Sequence, residues 1–248
     1  VYGRNGECPV AVIAPRSPFD CFATTLEALR IATRYMTPVI MLTDGGIANA
    51  TEIGPVPVLD ELPPFEVEFR TEPAGFQVYG RDGRLARDWV RPGTPGLEHR
   101  IGGLEKDALS GDVSMDGANH DQMVRTRAQK IAGIARDYPP VPVEGDPGAK
   151  LLVIGWGGTY GSIAEAVRHC NAEDIPVAHV HLRHLNPLPD DLGDIMQKYE
   201  NILVPEVNLG QLSVLLRNRF VRDVTGFNRV EGKPLKVSEL CATMAGLA

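Results

Sequence analysis

The stretch LLVIGWGGTYGSIAEAV, Leu151 to Val167, sets the fold of the C-terminal half. An apolar run of strand length ends in a cluster of glycines, and a helical pattern follows. That is the layout of a nucleotide site, in which a helix N-terminus receives a phosphate. The dinucleotide fingerprint G-x-G-x-x-G gives each glycine a steric duty. Gly155 and Gly157 take the first two places, Tyr160 stands in the third, and Gly161 falls one late. The acid that would hold a ribose is missing from the end of the second strand, Val180-His181-Leu182-Arg183-His184, although basic residues there can hold a 2′-phosphate. A tight turn before a helix needs glycine with or without a phosphate. Two readings follow: a non-catalytic NADP-binding Rossmann-like module, or a bend that serves as scaffold.

Outward from this turn, the block from Lys150 to Ala248 alternates strand and helix. Strands are expected at Leu151–Ile154, Val177–Leu182 and Ile202–Val204, and helices at about Thr159–Asn171, Asp190–Tyr199, Leu209–Val221 and Val237–Leu247. Such alternation implies a parallel sheet covered on both faces. Ahead of it, YPPVPVEGDPGA (Tyr138–Ala149) has the composition of a linker.

The first block, to about Pro63, also alternates. Val10–Ala14 suits a buried strand. Ser17 offers an N-cap, Pro18 a first helical position and Asp20 a first-turn acid. Phe22, Leu26, Leu29, Ala32 and Met36 form one apolar stripe. Val39–Leu42 is the next strand, and Thr43-Asp44-Gly45-Gly46 follows at its carboxyl end, where open α/β sheets carry functional loops. The middle block has strand-like alternation at Glu66–Phe69 and Phe76–Tyr79, then the arm WVRPGTPGLEHRIGGLEKD (Trp89–Asp107), whose prolines and glycines forbid a long regular element. Asn119 is expected to cap a helix to Asp137, with Val124, Ala128, Ile131 and Ala135 on its apolar stripe and Arg125, Arg127, Lys130 and Arg136 on a solvated basic face.

Composition narrows the function. The chain has 248 residues, 43% of them apolar, and a net charge of −7. That balance argues against nucleic acid or an anionic membrane as the main partner. No apolar run approaches the roughly 20 residues that span a bilayer. Cys8, Cys21, Cys170 and Cys241 form no CxxC pair and are expected to be buried, reduced thiols of a cytoplasmic protein. The opening VYGRNGECPVAVIAP has no initiator methionine and no leader pattern, and enters a buried strand almost at once, as expected of a fragment cut inside a domain.

Several phrases carry a family resemblance. HLRHLNPLP (His181–Pro189) and VPEVNLGQL (Val204–Leu212), behind the glycine turn, resemble the transketolase C-terminal-like domain of thiamine-diphosphate enzymes, whose first βα loop keeps the shape of a nucleotide site without being the thiamine site. With YGRNGECP at the start, LTDGGIANATEIGPVP (Leu42–Pro57), RPGTPGLEHRIGGLEKD (Arg91–Asp107) and NHDQMVRTRAQKI (Asn119–Ile131), the chain resembles nearly end to end the alpha subunit of 2-oxoacid:ferredoxin oxidoreductases, in particular the 2-oxoglutarate type.

The resemblance implies an α/β fold in three parts: residues 1–63 as the end of a pyrimidine-binding domain of thiamine type, 64–149 as an irregular connecting insert with an extended arm, and 150–248 as the transketolase C-terminal-like domain. It implies coenzyme A-dependent oxidative decarboxylation of 2-oxoglutarate or another 2-oxoacid to an acyl-CoA and CO2, with electrons passed to ferredoxin. Thiamine diphosphate, Mg2+ and a [4Fe–4S] cluster would sit mainly on a beta subunit and none on this chain alone. The expected partners are that beta subunit and the N-terminal part of the alpha chain, in a dimer of alpha-beta units. The family's YPITP-type motif, its RGGPSTG-type loop and the glutamate that activates the aminopyrimidine are absent from this sequence, so no catalytic residue carries over and the piece alone is expected to be inactive. The beta chain of a 2-oxoacid dehydrogenase pairs the same two domains through a shorter link, and the insert argues against it.

Individual residues can be weighed against that frame. Asp44, with Asn49 and Glu52 in its loop, can face a cofactor cleft, or cap a turn. His99 and Arg100 in the arm can meet an acidic group on substrate, coenzyme or a neighbouring subunit, or tie the arm to a partner's backbone. His179, His181 and His184 suggest a metal by number, but no carboxylate or thiol completes a ligand set nearby. Glu206 and Asn208 are expected to pack or cap.

Overall fold

In the computed structural model, which describes residues 1–62, 64–65 and 67–248, strand β1 (Ala11–Ile13) is buried on both faces. Ala11 and Ile13 pack with Ile31, Tyr35, Ile131 and Ile134. Val10, Val12 and Ala14 belong to a second core with Leu152, Ile154, Val180 and Leu182. Successive strand residues face opposite sides, so an apolar residue at every position needs a layer on each.

Helix α1 (Asp20–Arg34) follows, then β2 (Val39–Met41), parallel to β1. The helix starts at Asp20 rather than Pro18; the Ser17 hydroxyl still accepts a hydrogen bond from the Asp20 amide at 3.3 Å. The expected apolar stripe is on the wrong face. Phe22 and Leu29 are 41% and 49% exposed, and the inner line runs through Thr24, Ile31 and Tyr35. Hydrogen bonding is the reason. Thr24 donates to Asp20 on that face, and Glu27 is held there by Arg183 and His184, so polar residues occupy places that periodicity assigns to apolar ones. Helix α2 (Gly45–Asn49) is one short turn at the carboxyl end of β2.

Between Phe65 and Tyr138 the described residues form no extended strand. Among them this middle block has only isolated bridges, Phe69 to Trp89, Arg81 to Arg87 and Lys106 to Val113. Pro73 and Gly75 turn the chain, and the Tyr79 amide donates to the Leu109 carbonyl just past the arm rather than to a neighbouring strand. Glu66, the start of one expected strand, and Pro63, the expected boundary, lie outside the described residues. Helix α3 (Gly117–Gly133) is capped by Asp116, whose carboxylate accepts from the Asn119 amide at 2.7 Å. Asn119 is therefore not the cap. Its side chain accepts from the Ala108 amide and donates to the Lys106 carbonyl, pinning the arm to the helix. The buried line of α3 includes Met123 and Ile131, whereas Ala128 is exposed.

Within the proline-rich segment a short strand β3 (Glu144–Gly145) forms. Then come β4 (Leu151–Trp156), α4 (Tyr160–Ala172), β5 (Val177–Leu182), β6 (His184–Asn186), α5 (Leu192–Gln197), β7 (Asn201–Glu206), α6 (Gln211–Phe220), β8 (Thr225–Asn228) and α7 (Val237–Ala245). The expected helices form within two residues of their assigned places. The sheet order is β3-β5-β4-β7-β8, all parallel except the edge strand β3. Leu152 and Ile154 of β4 face one core with Leu192, Met196 and Leu216, and Leu151 and Val153 face the other with Ile163, Ala166, Leu240 and Met244. Strand β6 leaves this sheet and pairs antiparallel with β1. It is missing from the sequence reading because three residues between a strand and a proline give no periodic signal. Cys170 is buried, but Cys8 is exposed and Cys21 and Cys241 are half-buried; all four thiols are free. Among the described residues, no helix is long and apolar enough to cross a membrane.

Candidate functional site

The glycine turn closes on a carboxylate from the same chain. Gly158 donates its amide to Asp44 Oδ2 at 2.7 Å. Asp44 Oδ1 accepts from the Ile47 amide at 2.9 Å, which caps α2. One side chain thus ends the loop after β2 and fills the anion position before α4. Steric demand follows from this contact. A Cβ on Gly158 would lie 2.2 Å from Asp44 Oδ2, and Gly157 has φ +58°. Gly155 is needed for a different reason: a Cβ there would lie 2.5 Å from Ile163 Cδ1 and 3.0 Å from His181 Nδ1. Thr159 Oγ1 donates to the Trp156 carbonyl at 2.7 Å and closes the turn on itself.

A diphosphate does not fit this loop. Its oxygens would compete with Asp44 for the Gly158 amide and meet a like charge. Two such charges about 4 Å apart repel by about 4 kcal/mol at an effective dielectric near 20. The turn therefore uses anion-binding geometry to join the N-terminal sheet to the C-terminal sheet.

Gly158→Ala is expected to break this tie and cost about 1.5–3 kcal/mol, as for a hydrogen bond to a charged group. Gly161, with open space around its Cβ position, is the control. Gly161→Ala in α4 is expected to raise stability by up to about 1 kcal/mol. Urea unfolding of the two variants tests the difference.

Beneath the turn, His179 and His181 share one face of β5, with ring centroids 5.7 Å apart. The Gly157 carbonyl lies 3.1 Å from His181 Nε2, so that nitrogen carries the proton in the neutral ring. His179 Nδ1 is 3.5 Å from Glu144. Burial, aided by Arg16, pushes His179 down to about 4. Burial, then His179 and Arg16, push His181 down to about 3, against the pull of the Gly157 carbonyl. The Arg16 guanidinium lies over the Tyr160 ring at 4.5 Å.

His184 is elsewhere, on β6. It meets Glu27 Oε1 at 2.5 Å and stacks on Tyr138 with centroids 3.6 Å apart. Arg183 binds both Asp20 and Glu27. The three histidines are thus not brought together. Among the described residues, no group of three or more His, Cys, Asp or Glu is placed to hold a metal ion. Burial works to raise the Glu27 carboxyl, but the His184 hydrogen bond and charge, with Arg183, hold it below its ordinary 4.5. Its stabilisation is therefore present above pH 4.5 and is lost as pH falls through the lower folded value. Glu27→Gln is expected to cost about 2 kcal/mol at pH 7 and to remove that acid limb from a plot of stability against pH.

The remaining candidates do not converge. Asn49 donates to the Gly45 carbonyl at 2.9 Å within its own short helix. Glu52 accepts from the Phe19 amide at 2.8 Å, at the start of α1. His99 Nδ1 lies 2.8 Å from the Leu97 carbonyl, and its ring is tilted against Phe76 at 5.4 Å, with Arg100 exposed beside it. Glu206 is fully buried and accepts from the Trp156 indole, Asn208 Nδ2, the Leu212 and Ser213 amides and the Ser213 hydroxyl. Asn208 Oδ1 accepts from the Gly210 and Gln211 amides. Together they cap α6, the role expected of them.

The sequence reading missed the acid network of α1. Asp20 and Glu27 stand seven apart on one helix face, and Arg183 and His184 follow the second strand of the C-terminal block. That pairing of charges was the available signal.

Comparison with known proteins gives consistent matches. The family profile "Pyruvate flavodoxin/ferredoxin oxidoreductase, thiamine diP-bdg" matches residues 2–114. The 2-oxoglutarate oxidoreductase subunit KorA of Mycobacterium tuberculosis is 50% identical over 242 residues, which are 97% of this chain and 37% of the relative. The 2-oxoglutarate synthase subunit KorA of Archaeoglobus fulgidus is 27% identical over 212 residues, 85% of this chain and 54% of that one. The solved 2-oxoglutarate:ferredoxin oxidoreductase from Magnetococcus marinus, with 2-oxoglutarate, coenzyme A and succinyl-CoA bound, superposes with a TM-score of 0.93 at 28% identity, covering 99% of this chain and 43% of that one. The chain therefore spans about half or less of the length of these relatives.

Proposed function

We propose, from a chain related throughout its length to the 2-oxoacid:ferredoxin oxidoreductase alpha-subunit family, that it forms part of such an alpha subunit acting on 2-oxoglutarate. The reaction is coenzyme A-dependent oxidative decarboxylation to an acyl-CoA and CO2, with electrons passed to ferredoxin. The observation that carries this reading is the 50% identity to a 2-oxoglutarate oxidoreductase subunit over 97% of the chain. Asp44 in the glycine turn supports the scaffold role and speaks against the NADP-binding alternative.

Thiamine diphosphate supplies the carbanion-stabilising chemistry in such enzymes. On this reading the cofactor, its Mg2+ and the [4Fe–4S] cluster are carried mainly by a beta subunit, in a dimer of alpha-beta units, and the glycine turn, filled by Asp44, is not the diphosphate site. What this chain does is position. The Asp44–Gly158 bond, the Arg183–Asp20 and Arg183–Glu27 pairs and the β1–β6 pairing fix one sheet against the other. We keep residues 1–63, 64–149 and 150–248 as three parts on this reading, with β6 of the third completing the sheet of the first. The free thiols agree with a cytoplasmic setting.

The test is co-expression of this chain joined to the N-terminal part of the alpha chain with a beta subunit, and assay of viologen reduction. Activity that requires 2-oxoglutarate and coenzyme A is expected. Activity that instead requires NAD and a lipoyl carrier would replace this reading with a 2-oxoacid dehydrogenase beta chain.

A further inference from the structure

Where α1 ends, the insert and α3 place cations that the folding role alone does not account for. Arg87 donates to the Val78 carbonyl at 3.3 Å and to Met36 Sδ at 3.3 Å. Arg81 donates to the Leu85 carbonyl at 3.2 Å and to Met123 Sδ at 3.6 Å. Lys130 donates to the Met36 carbonyl at 3.2 Å. Both guanidinium groups lie against the Tyr79 ring, at 5.6 Å for Arg81 and 4.8 Å for Arg87. All three cations are partly buried, and among the described residues none has a carboxylate partner. Arg127, next along α3, is neutralised by Glu105, which also holds His120.

Thioethers and carbonyls are weak partners for full charges. The C-terminus of α1 offers only about half a negative charge. Three half-buried cations so arranged repel one another, and each loses part of its hydration. The strain is visible in Lys130: burial, with Arg81, Arg87 and Arg127, pulls its ammonium down to about 8. Burial and Arg87 likewise lower Arg81. Of the three, Arg87 lines a cavity of about 770 Å³, whose wall also carries Arg30, Arg84, Glu68, Glu72, Asp82 and Asp88.

We propose that Arg81, Arg87 and Lys130 form a binding site for a phosphate-type oxyanion. Two guanidinium forks and one ammonium supply more donors and more charge than a single carboxylate needs, and they suit a dianion with several oxygens. The shared chemistry is the phosphate group, free or as the ester of a nucleotide. The site is independent of the proposed enzyme activity, and its test does not use that activity.

The experiment compares the thermal midpoint of the intact protein in chloride, inorganic phosphate and ADP at matched ionic strength. Alongside, the reaction of Lys130 with an amine-modifying reagent is followed against pH by peptide mass spectrometry. Saturable stabilisation by phosphate beyond chloride is expected, together with a rise in the apparent pKa of Lys130 when phosphate is bound. Arg81→Gln and Lys130→Met are each expected to weaken phosphate about tenfold, as for loss of one charge-assisted bond. ADP binding more tightly than phosphate would mark the site as one for an ester; equal or weaker binding would mark it as one for the free ion. Identical midpoints in phosphate and chloride, with Lys130 titrating unchanged, would overturn the proposal without depending on whether either variant folds.

Discussion

Replacing Glu206 by alanine is expected to lower stability by about 3–5 kcal/mol, as when a buried charged partner is removed. The carboxylate is fully buried, yet among the described residues it has no ion-pair partner. It is held by donors: the Trp156 indole, the Asn208 amide, the Ser213 hydroxyl and the Leu212 and Ser213 backbone amides. Those two amides are the orphan donors of α6, where the helix dipole also favours a negative charge. Alanine would leave all of them facing a small cavity. Each unmet donor costs about 1–3 kcal/mol, and water entry would recover part of the sum. Glu206→Gln keeps an accepting oxygen but presents an NH2 to other donors, so an intermediate loss of about 2 kcal/mol is expected. Urea unfolding of both variants distinguishes a structural anion from an incidental one. An alanine variant within about 1 kcal/mol of the parent would show that α6 does not depend on this cap.

Acid should destabilise the fold well above the carboxylate range. In the unfolded chain His179 and His181 bind protons near 6.5; in the folded chain they do so near 4 and 3. Stability is therefore full above pH 6.5 and falls as pH drops toward those values, because the unfolded state binds the protons first. At pH 5 the two groups together are expected to remove about 4 kcal/mol. Glu27 acts only below its ordinary 4.5, so the loss between pH 6.5 and 4.5 belongs to the histidines and Glu27 adds to it only below that. Nuclear magnetic resonance can follow the two imidazoles directly. They should stay neutral at pH 5 while stability is already falling, and a pair titrating near 6.5 in the folded protein would remove the effect.

How much of this could be read beforehand varies along the chain for physical reasons. The parallel C-terminal sheet was legible because β4, β5 and β7 are apolar runs separated by periodic helices, the one arrangement that buries both faces of a sheet. The apolar stripe expected of α1 lies on the wrong face because Thr24 is buried and Asp20 and Glu27 are half-buried through hydrogen bonds, which a hydrophobic pattern does not register. The strand expected at Phe76–Tyr79 failed because the Phe76 amide turns back to Pro73 and the Tyr79 amide donates to Leu109, a partner 30 residues along the chain. The candidate site was half legible. Asp44 and the glycine turn each stood out, but their union across 114 residues did not. A glycine turn looks the same in sequence whether a phosphate or a carboxylate from its own chain fills it.

That union can be measured. Calorimetry with NADPH on the intact parent protein should show no saturable binding tighter than about 10 μM, equivalent to about 7 kcal/mol. Asp44→Asn should unfold at lower urea than the parent, because the Gly158 amide then loses a charged acceptor. NADPH bound below that concentration, with the binding abolished by Gly158→Ala, would show that the turn is a nucleotide site after all and that Asp44 is a displaceable occupant rather than the join between the two sheets.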